Sequence, residues 1–154
     1  MTDQGKSKYS YRDTGLTSNM EDYMEAIVML SAKNKVVRVK DIAKKLNIKM
    51  PSVSAALAKL KEMELIDYEK YGYIELTERG QEIADRVLKR HTCLIEFFSN
   101  VLQIDCGIAD GEACKVEHDL APQTCSQIHK FLDFYKSEET AGSDWIVRLK
   151  KSLK

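Results

Sequence analysis

The chain has 154 residues, 44% of them apolar and 31% charged, and its 24 basic residues balance 24 acidic ones. That length allows one ordinary domain or two small ones, and that composition excludes a disordered chain. No apolar run approaches the roughly 18 residues a membrane span needs, the N-terminus lacks the apolar core of a signal peptide, and the four cysteines (Cys93, Cys106, Cys114, Cys125) form no Cys-x-x-Cys pair. A disulfide framework or zinc ribbon is therefore not expected, and reduced thiols in a cytoplasmic protein are. Only 2 prolines and 7 glycines, amid many Ala, Leu, Glu and Lys, favour a mostly helical fold.

In chain order, residues 1–17 are polar and read as a flexible arm. Ser18 and Glu21 form a capping box. Met20, Tyr23, Met24, Ile27, Val28 and Leu30 then recur at helical spacing, which predicts a helix over about 19–32. After a polar turn at 33–35, a short helix spans 39–46 with Ile42, Ala43 and Leu46 inward. Residues 47–50 form a turn, and Pro51 suits the start of the next helix. That helix carries the row Val53, Leu57, Leu60, Glu64 to about residue 64. Two short β-like stretches, 66–69 and 73–76, are joined through Lys70, Tyr71 and Gly72 as a hairpin. A long helix is expected over 78–102, with the row Ile83, Val87, His91, Ile95. Residues 106–111 read as a loop. Helices follow at about 112–120 and 123–136, and 140–154 allow a last basic amphipathic turn or two around Trp145, Ile146 and Leu149.

The zero net charge hides an uneven layout. Residues 33–61 hold nine basic residues and one acid, whereas residues 91–139 hold nine acids and three basic residues. The first segment suits a polyanion such as DNA and the second suits cations, although each run alone could be a solvated face. Helix, short helix, tight turn, helix and β-hairpin is the order of a winged helix-turn-helix. In that arrangement the helix starting at Pro51 enters the major groove. Ser52 and Ser54 can approach base edges or phosphates, and Ala55 can meet a thymine methyl. Arg38, Lys44, Lys45, Lys49 and Lys59 belong to the basic run, the lysines being placed to neutralise phosphates. Tyr71 lies at the tip of the wing.

Three stretches carry metal-ligand side chains at helical spacing. Asp22 and Glu25 share a face of the first helix. His91 lies on the apolar row of the long helix. Cys114, Glu117 and His118 stand at i, i+3 and i+4, so thiolate, carboxylate and imidazole converge on one side. Each piece has a structural alternative: dipole compensation for the acids, a packed core imidazole for His91, a small hydrophobe for the cysteine.

The sequence resembles the diphtheria toxin repressor family of metal-dependent bacterial transcription regulators over about residues 19–136. Four pieces carry the likeness: Met-Glu-Asp-Tyr-Met-Glu at 20–25, Asp-Ile-Ala-Lys-Lys-Leu through Pro-Ser-Val-Ser at 41–54, Arg-His at 90–91, and Glu-Ala-Cys-Lys-Val-Glu-His at 112–118. The resemblance implies a repressor of metal-uptake genes with Fe(II) or Mn(II) as corepressor, one or two ions per subunit. It implies the ligands Asp22, Glu25, His91, Cys114, Glu117 and His118. It also implies a homodimer whose two winged helices, set by metal, fit a palindromic operator in double-stranded DNA. Asp22 with Glu25 looks like the manganese-sensing branch and Cys114 like the iron-sensing branch. Asp110 and Ile95 stand where the iron branch has histidine and glutamate, and Ala55 replaces its base-reading glutamine. The length implies the short form without a third, SH3-like domain.

The expected division is therefore an arm at 1–17, a winged helix-turn-helix at 18–82, a helical metal-binding and dimerisation domain at 83–137, and a basic tail at 138–154. The dimer is expected from about 83–136, including the face Ile128, Phe131, Leu132, Tyr135. The competing reading is a winged-helix regulator that senses a small molecule or an oxidant without a metal, with Cys114 as a redox thiol. An enzyme is not expected, because no Gly-rich phosphate loop or nucleophile elbow occurs.

Overall fold

The computed structural model describes residues 14–69 and 72–153. Among these, the chain divides into two compact units, one formed by 14–88 and the other by residues from 89 onward. The fold is mostly helical with one small sheet, as the composition implied. The order is α1 (Ser18–Ser31), α2 (Val39–Leu46), α3 (Met50–Glu62), β1 (Ile66–Tyr68), β2 (Ile74–Leu76), α4 (Glu78–Glu96), a π-helical turn (Phe97–Val101), α5 (Cys106–Val116), α6 (Pro122–Thr140) and α7 (Asp144–Ser152). The wing residues Lys70 and Tyr71, and the arm up to residue 13, lie outside the described residues.

In the first unit, α1 is capped by Thr17, not by the expected Ser18–Glu21 box. The Thr17 hydroxyl accepts from Met20 N at 3.4 Å, while Glu21 accepts instead from the Thr14 hydroxyl at 2.6 Å. The extended backbone at Thr17 makes it the cap and Ser18 the first helical residue. Thr14 and Leu16 thus belong to the folded unit, Leu16 packing on its core. At the start of α2, Arg38 N donates to the Asp41 carboxylate at 3.0 Å. The tight link to α3 turns on Asn47, whose φ of 53° lies in the left-handed region that Asn tolerates. Pro51 sits in the first turn of α3, where a missing N–H costs nothing. The row Val53, Leu57, Leu60 is buried as expected. Glu64 does not continue it: α3 ends at Glu62, and Glu64 takes φ 57° and is exposed. Leu65 N then reaches back to Leu60 O at 3.0 Å, closing the helix with a left-handed terminal motif.

The hairpin pairs Ile66 with Leu76 and Tyr68 with Ile74, and Ile74 also bridges to Val37. Ile27, Ile42, Val53, Leu57, Leu60, Ile66, Ile74 and Ile83 form one core under this sheet and α1–α4, each such side chain contributing about 1.5–3 kcal/mol of burial. Gly80 is required where α4 passes Leu65, because a Cβ there would sit 1.8 Å from the Leu65 carbonyl oxygen.

In the second unit, the regular α4 stops at Glu96 rather than running to 102. The Ser99 hydroxyl bonds Ile95 O at 2.8 Å and competes with the helical ladder, and Leu102 N bonds Phe97 O across a wider turn. The expected loop at 106–111 is instead the first half of α5, and the helix ends at Val116 rather than near 120. Gly107 and Gly111 weaken helical propensity by about 1 kcal/mol each. The Asp105 carboxylate offsets this by accepting from Gly107 N and Ile108 N, and Ala109 and Ala113 are fully buried. Helix α6 runs four residues beyond the expected 136, and the basic tail is a helix, α7. Leu132 and Tyr135, expected on a dimer face, are buried inside the unit with Cys93, Val101 and Ile146. Phe131 remains 37% exposed.

Candidate metal centre and DNA-binding surface

His91, Glu117 and His118 come together within the second unit. Helix α4 carries His91. The last turn of α5 carries Glu117 at its C-cap, with His118 next to it. The Glu117 side chain is fully buried. His91 Nδ1 lies 2.9 Å from Glu117 Oε2, and His118 Nε2 lies 3.3 Å from Glu117 Oε1. Among the described residues no hydrogen bond reaches Oε1. A buried carboxylate is costly unless matched by positive charge. One carboxylate flanked by two imidazoles, with an oxygen not hydrogen-bonded, is a donor set that fits a divalent cation.

The other imidazole nitrogens are also placed. His91 Nε2 lies 3.2 Å from the exposed Asp110 carboxylate, and His118 Nδ1 lies 3.5 Å from an Arg90 guanidinium nitrogen. A neutral imidazole can donate to only one of two carboxylates. His91 can therefore give a lone pair to a cation through one nitrogen and donate its N–H to a carboxylate through the other, the arrangement that orients metal-bound histidines. Asp110 was legible in the sequence only as a departure from the iron branch; an exposed acid on a stretch taken for a loop gives no local signal.

Cys114 is exposed on α5, while Glu117 beyond it is fully buried. All four cysteines are free thiols, with Cys93 and Cys125 buried. Burial pushes the Cys125 thiol up and keeps it protonated and inert, against the opposing charge of nearby Arg90. Asp22 and Glu25 stand in the first unit on α1, three residues apart, Glu25 buried and Asp22 partly so. Burial, and secondarily the charge of Asp22, pushes the Tyr23 phenol up.

The basic surface also lies in the first unit. Lys44 and Lys45 end α2, Lys49 caps α3, and Lys59 lies in its last turn, all exposed. Pro51, Ser52 and Ala55 are exposed at the start of α3, and Ser54 is partly buried. Arg38 caps α2 and is exposed. An open cleft of about 570 Å³ lies among Arg38, Lys40, Met50, Ser54, Tyr68 and Gly72.

A family model for the iron dependent repressor N-terminal DNA binding domain matches residues 15–74. A model for the iron dependent repressor metal binding and dimerisation domain matches residues 77–145. The chain is 32% identical over 124 residues to the uncharacterized HTH-type transcriptional regulator MJ0568 of Methanocaldococcus jannaschii, covering 80% of this chain and 99% of that protein. It is 33% identical over 138 residues to the HTH-type transcriptional regulator MntR of Oceanobacillus iheyensis, covering 90% of each. Among solved structures, the manganese regulator SloR superposes with a TM-score of 0.67 at 29% identity, over 77% of this chain and 55% of that one. IdeR of T. acidophilum superposes with a TM-score of 0.67 at 25% identity, over 73% and 53%. The chain spans about half the length of these two solved structures. Among the described residues no helix is long and apolar enough to cross a membrane.

Proposed function

This chain belongs to the diphtheria toxin repressor family of metal-dependent transcriptional repressors, and from that premise we propose that it represses metal-uptake genes with Fe(II) or Mn(II) as corepressor, acting in the cytoplasm as a homodimer on a palindromic operator. The observation that carries this reading is the buried Glu117 carboxylate held between the imidazoles of His91 and His118. Asp22, Glu25 and Cys114 complete the proposed ligand set for one or two ions per subunit. A divalent cation bound there would supply the positive charge that matches the buried Glu117 carboxylate.

The residues of this chain divide the remaining work. Glu117 supplies a hard oxygen that suits Fe(II) and Mn(II) alike, and the two histidines supply borderline nitrogens. Asp110 holds the His91 ring in place from its far side. A thiolate at Cys114 would be the soft donor that favours Fe(II) over Mn(II). On the DNA side, Lys44, Lys45, Lys49 and Lys59 neutralise phosphates, while Ser52, Ser54 and Ala55 present small groups to base edges from the start of α3. Tyr71 would extend the contact from the wing. An anaerobic gel-shift titration against candidate operators with Mn(II), Fe(II), Zn(II) and chelator tests the reading. Binding that appears with Fe(II) or Mn(II) and is lost with chelator supports it; metal-independent binding contradicts it.

A further inference from the structure

Arg38 and Tyr73 are both exposed, yet they are paired. The Arg38 guanidinium carbon lies 5.1 Å from the centre of the Tyr73 ring, and Arg38 Nη2 donates to the Tyr73 hydroxyl at 3.4 Å. The pairing is built into the backbone. Ile74 N donates to Val37 O at 3.0 Å, so the strand after the wing is bridged to the residue before Arg38. Arg38 N is in turn held by the Asp41 carboxylate. Tyr73 is 51% exposed, so its ring is only partly spent on the core. Arg38 and Gly72, the neighbour of Tyr73, border the cleft that Lys40, Met50 and Ser54 also line, beside the first turn of α3.

We propose that Tyr73 is a positioning residue for DNA binding, which holds the Arg38 guanidinium over its ring so that the remaining N–H groups of Arg38 meet a backbone phosphate at the cleft between α3 and the wing. This rests on the DNA-binding reading above and deepens it. A free surface arginine loses side-chain freedom when a ligand fixes it. One already held over an aromatic ring has lost part of that freedom beforehand, and the N–H groups not spent on the Tyr73 hydroxyl stay available for a phosphate. The contact is to phosphate rather than to a base edge because the surrounding cations, Lys40 and Lys49 among them, mark a track of negative charge. It therefore adds affinity without adding sequence choice.

The test uses the full-length protein with metal and a short random-sequence DNA duplex, measured by fluorescence anisotropy over a salt series. Arg38→Ala should lower the log–log salt slope by about 1 unit. Tyr73→Leu should weaken binding about three- to fivefold, the size of an exposed cation–π contact, without lowering the thermal midpoint. Tyr73→Phe, which keeps the ring, should restore most of that loss. In an Arg38→Ala background, Tyr73→Leu should have no further effect. Wild-type affinity in Tyr73→Leu, or an equal loss with and without Arg38, would overturn the proposal while leaving the DNA-binding reading standing. Failure of the wild-type protein to bind any duplex with metal present would overturn both.

Discussion

His91 Nδ1 lies 2.9 Å from Glu117 Oε2, and the two side chains reach each other from α4 and from the end of α5. Glu117 in turn meets His118 through its second oxygen. His118→Ala removes one imidazole from this buried carboxylate without touching the cores of either unit. We expect at least a tenfold loss of affinity for Mn(II) and Co(II), read by calorimetry, with an unchanged helical circular dichroism spectrum. Wild-type metal affinity in the variant would remove His118 from the site.

Lys44 and Lys45 are exposed in the last turn of α2, on the segment with nine basic residues. Lys44→Ala or Lys45→Ala should weaken specific and random DNA about equally and lower the salt slope by about 1 unit. A variant that loses sequence preference at unchanged random-DNA affinity would show a base-reading role instead.

Much of this was legible in the chain, for reasons that differ by residue. The helices of the first unit were readable because their apolar residues recur with helical period and because Pro51 and Asn47 carry turn chemistry. Glu117 and His118 stood out as candidates because ligand-type residues stand together at helical spacing in an acidic segment, and the structure brings Glu117 to both His91 and His118. The start of α5 was not, since Gly107 and Gly111 argue for a loop and only the Asp105 cap and the packing of Ala109 and Ala113 decide otherwise. The π-helical turn was hidden for a similar reason: Phe97, Phe98 and Val101 keep an apolar pattern whichever hydrogen bonds the backbone makes. Leu132 and Tyr135 looked like a partner-binding face because periodicity shows a buried face without saying what buries it. Asp110 and Tyr73 were missed as partners because each meets a residue distant in sequence, His91 and Arg38.

Gly80 passes so close to Leu65 that no side chain fits between them. Gly80→Ala must push the start of α4 off the residue that precedes β1. Overpacking of this kind costs about 2 kcal/mol or more. A lower thermal midpoint for the variant is expected, and an unchanged one would show that the two backbones are free to separate.

Helix α7 is tied to α6 through Glu138, whose carboxylate accepts from the Ser143 hydroxyl at 2.7 Å and Trp145 Nε1 at 3.0 Å. These bonds favour the charged form and hold the Glu138 carboxyl below the usual range. A depressed carboxyl stabilises the fold above its unfolded value, about pH 4.3, and that contribution is lost as pH falls through the lower folded value. Glu138→Gln removes the charge at every pH. The emission of Trp145, the chain's single tryptophan, should therefore shift to the red in the variant at neutral pH. Emission identical to wild type would show that α7 does not depend on this carboxylate.

Cys114 is the one proposed ligand that breaks an all-hard or borderline donor set, and it is exposed. Cys114→Glu should shift activation of DNA binding toward Mn(II) relative to Fe(II) and Co(II). The Co(II) form of the native protein should show a sulfur-to-metal charge-transfer band that the variant lacks. Absence of that band in the native protein would take Cys114 out of the ligand set and favour Mn(II).

In the proposed function, a cation held at Glu117 licenses DNA binding by residues on α2 and α3. Operator affinity measured anaerobically against Fe(II) and Mn(II) concentration, for the wild-type protein and for Glu117→Gln, tests it most directly. The wild-type protein should bind only when metal is added, and Glu117→Gln, of nearly the same shape but without the charge, should fail to respond over at least a tenfold higher metal range. A Glu117→Gln protein that binds the operator with the wild-type metal dependence would contradict the account.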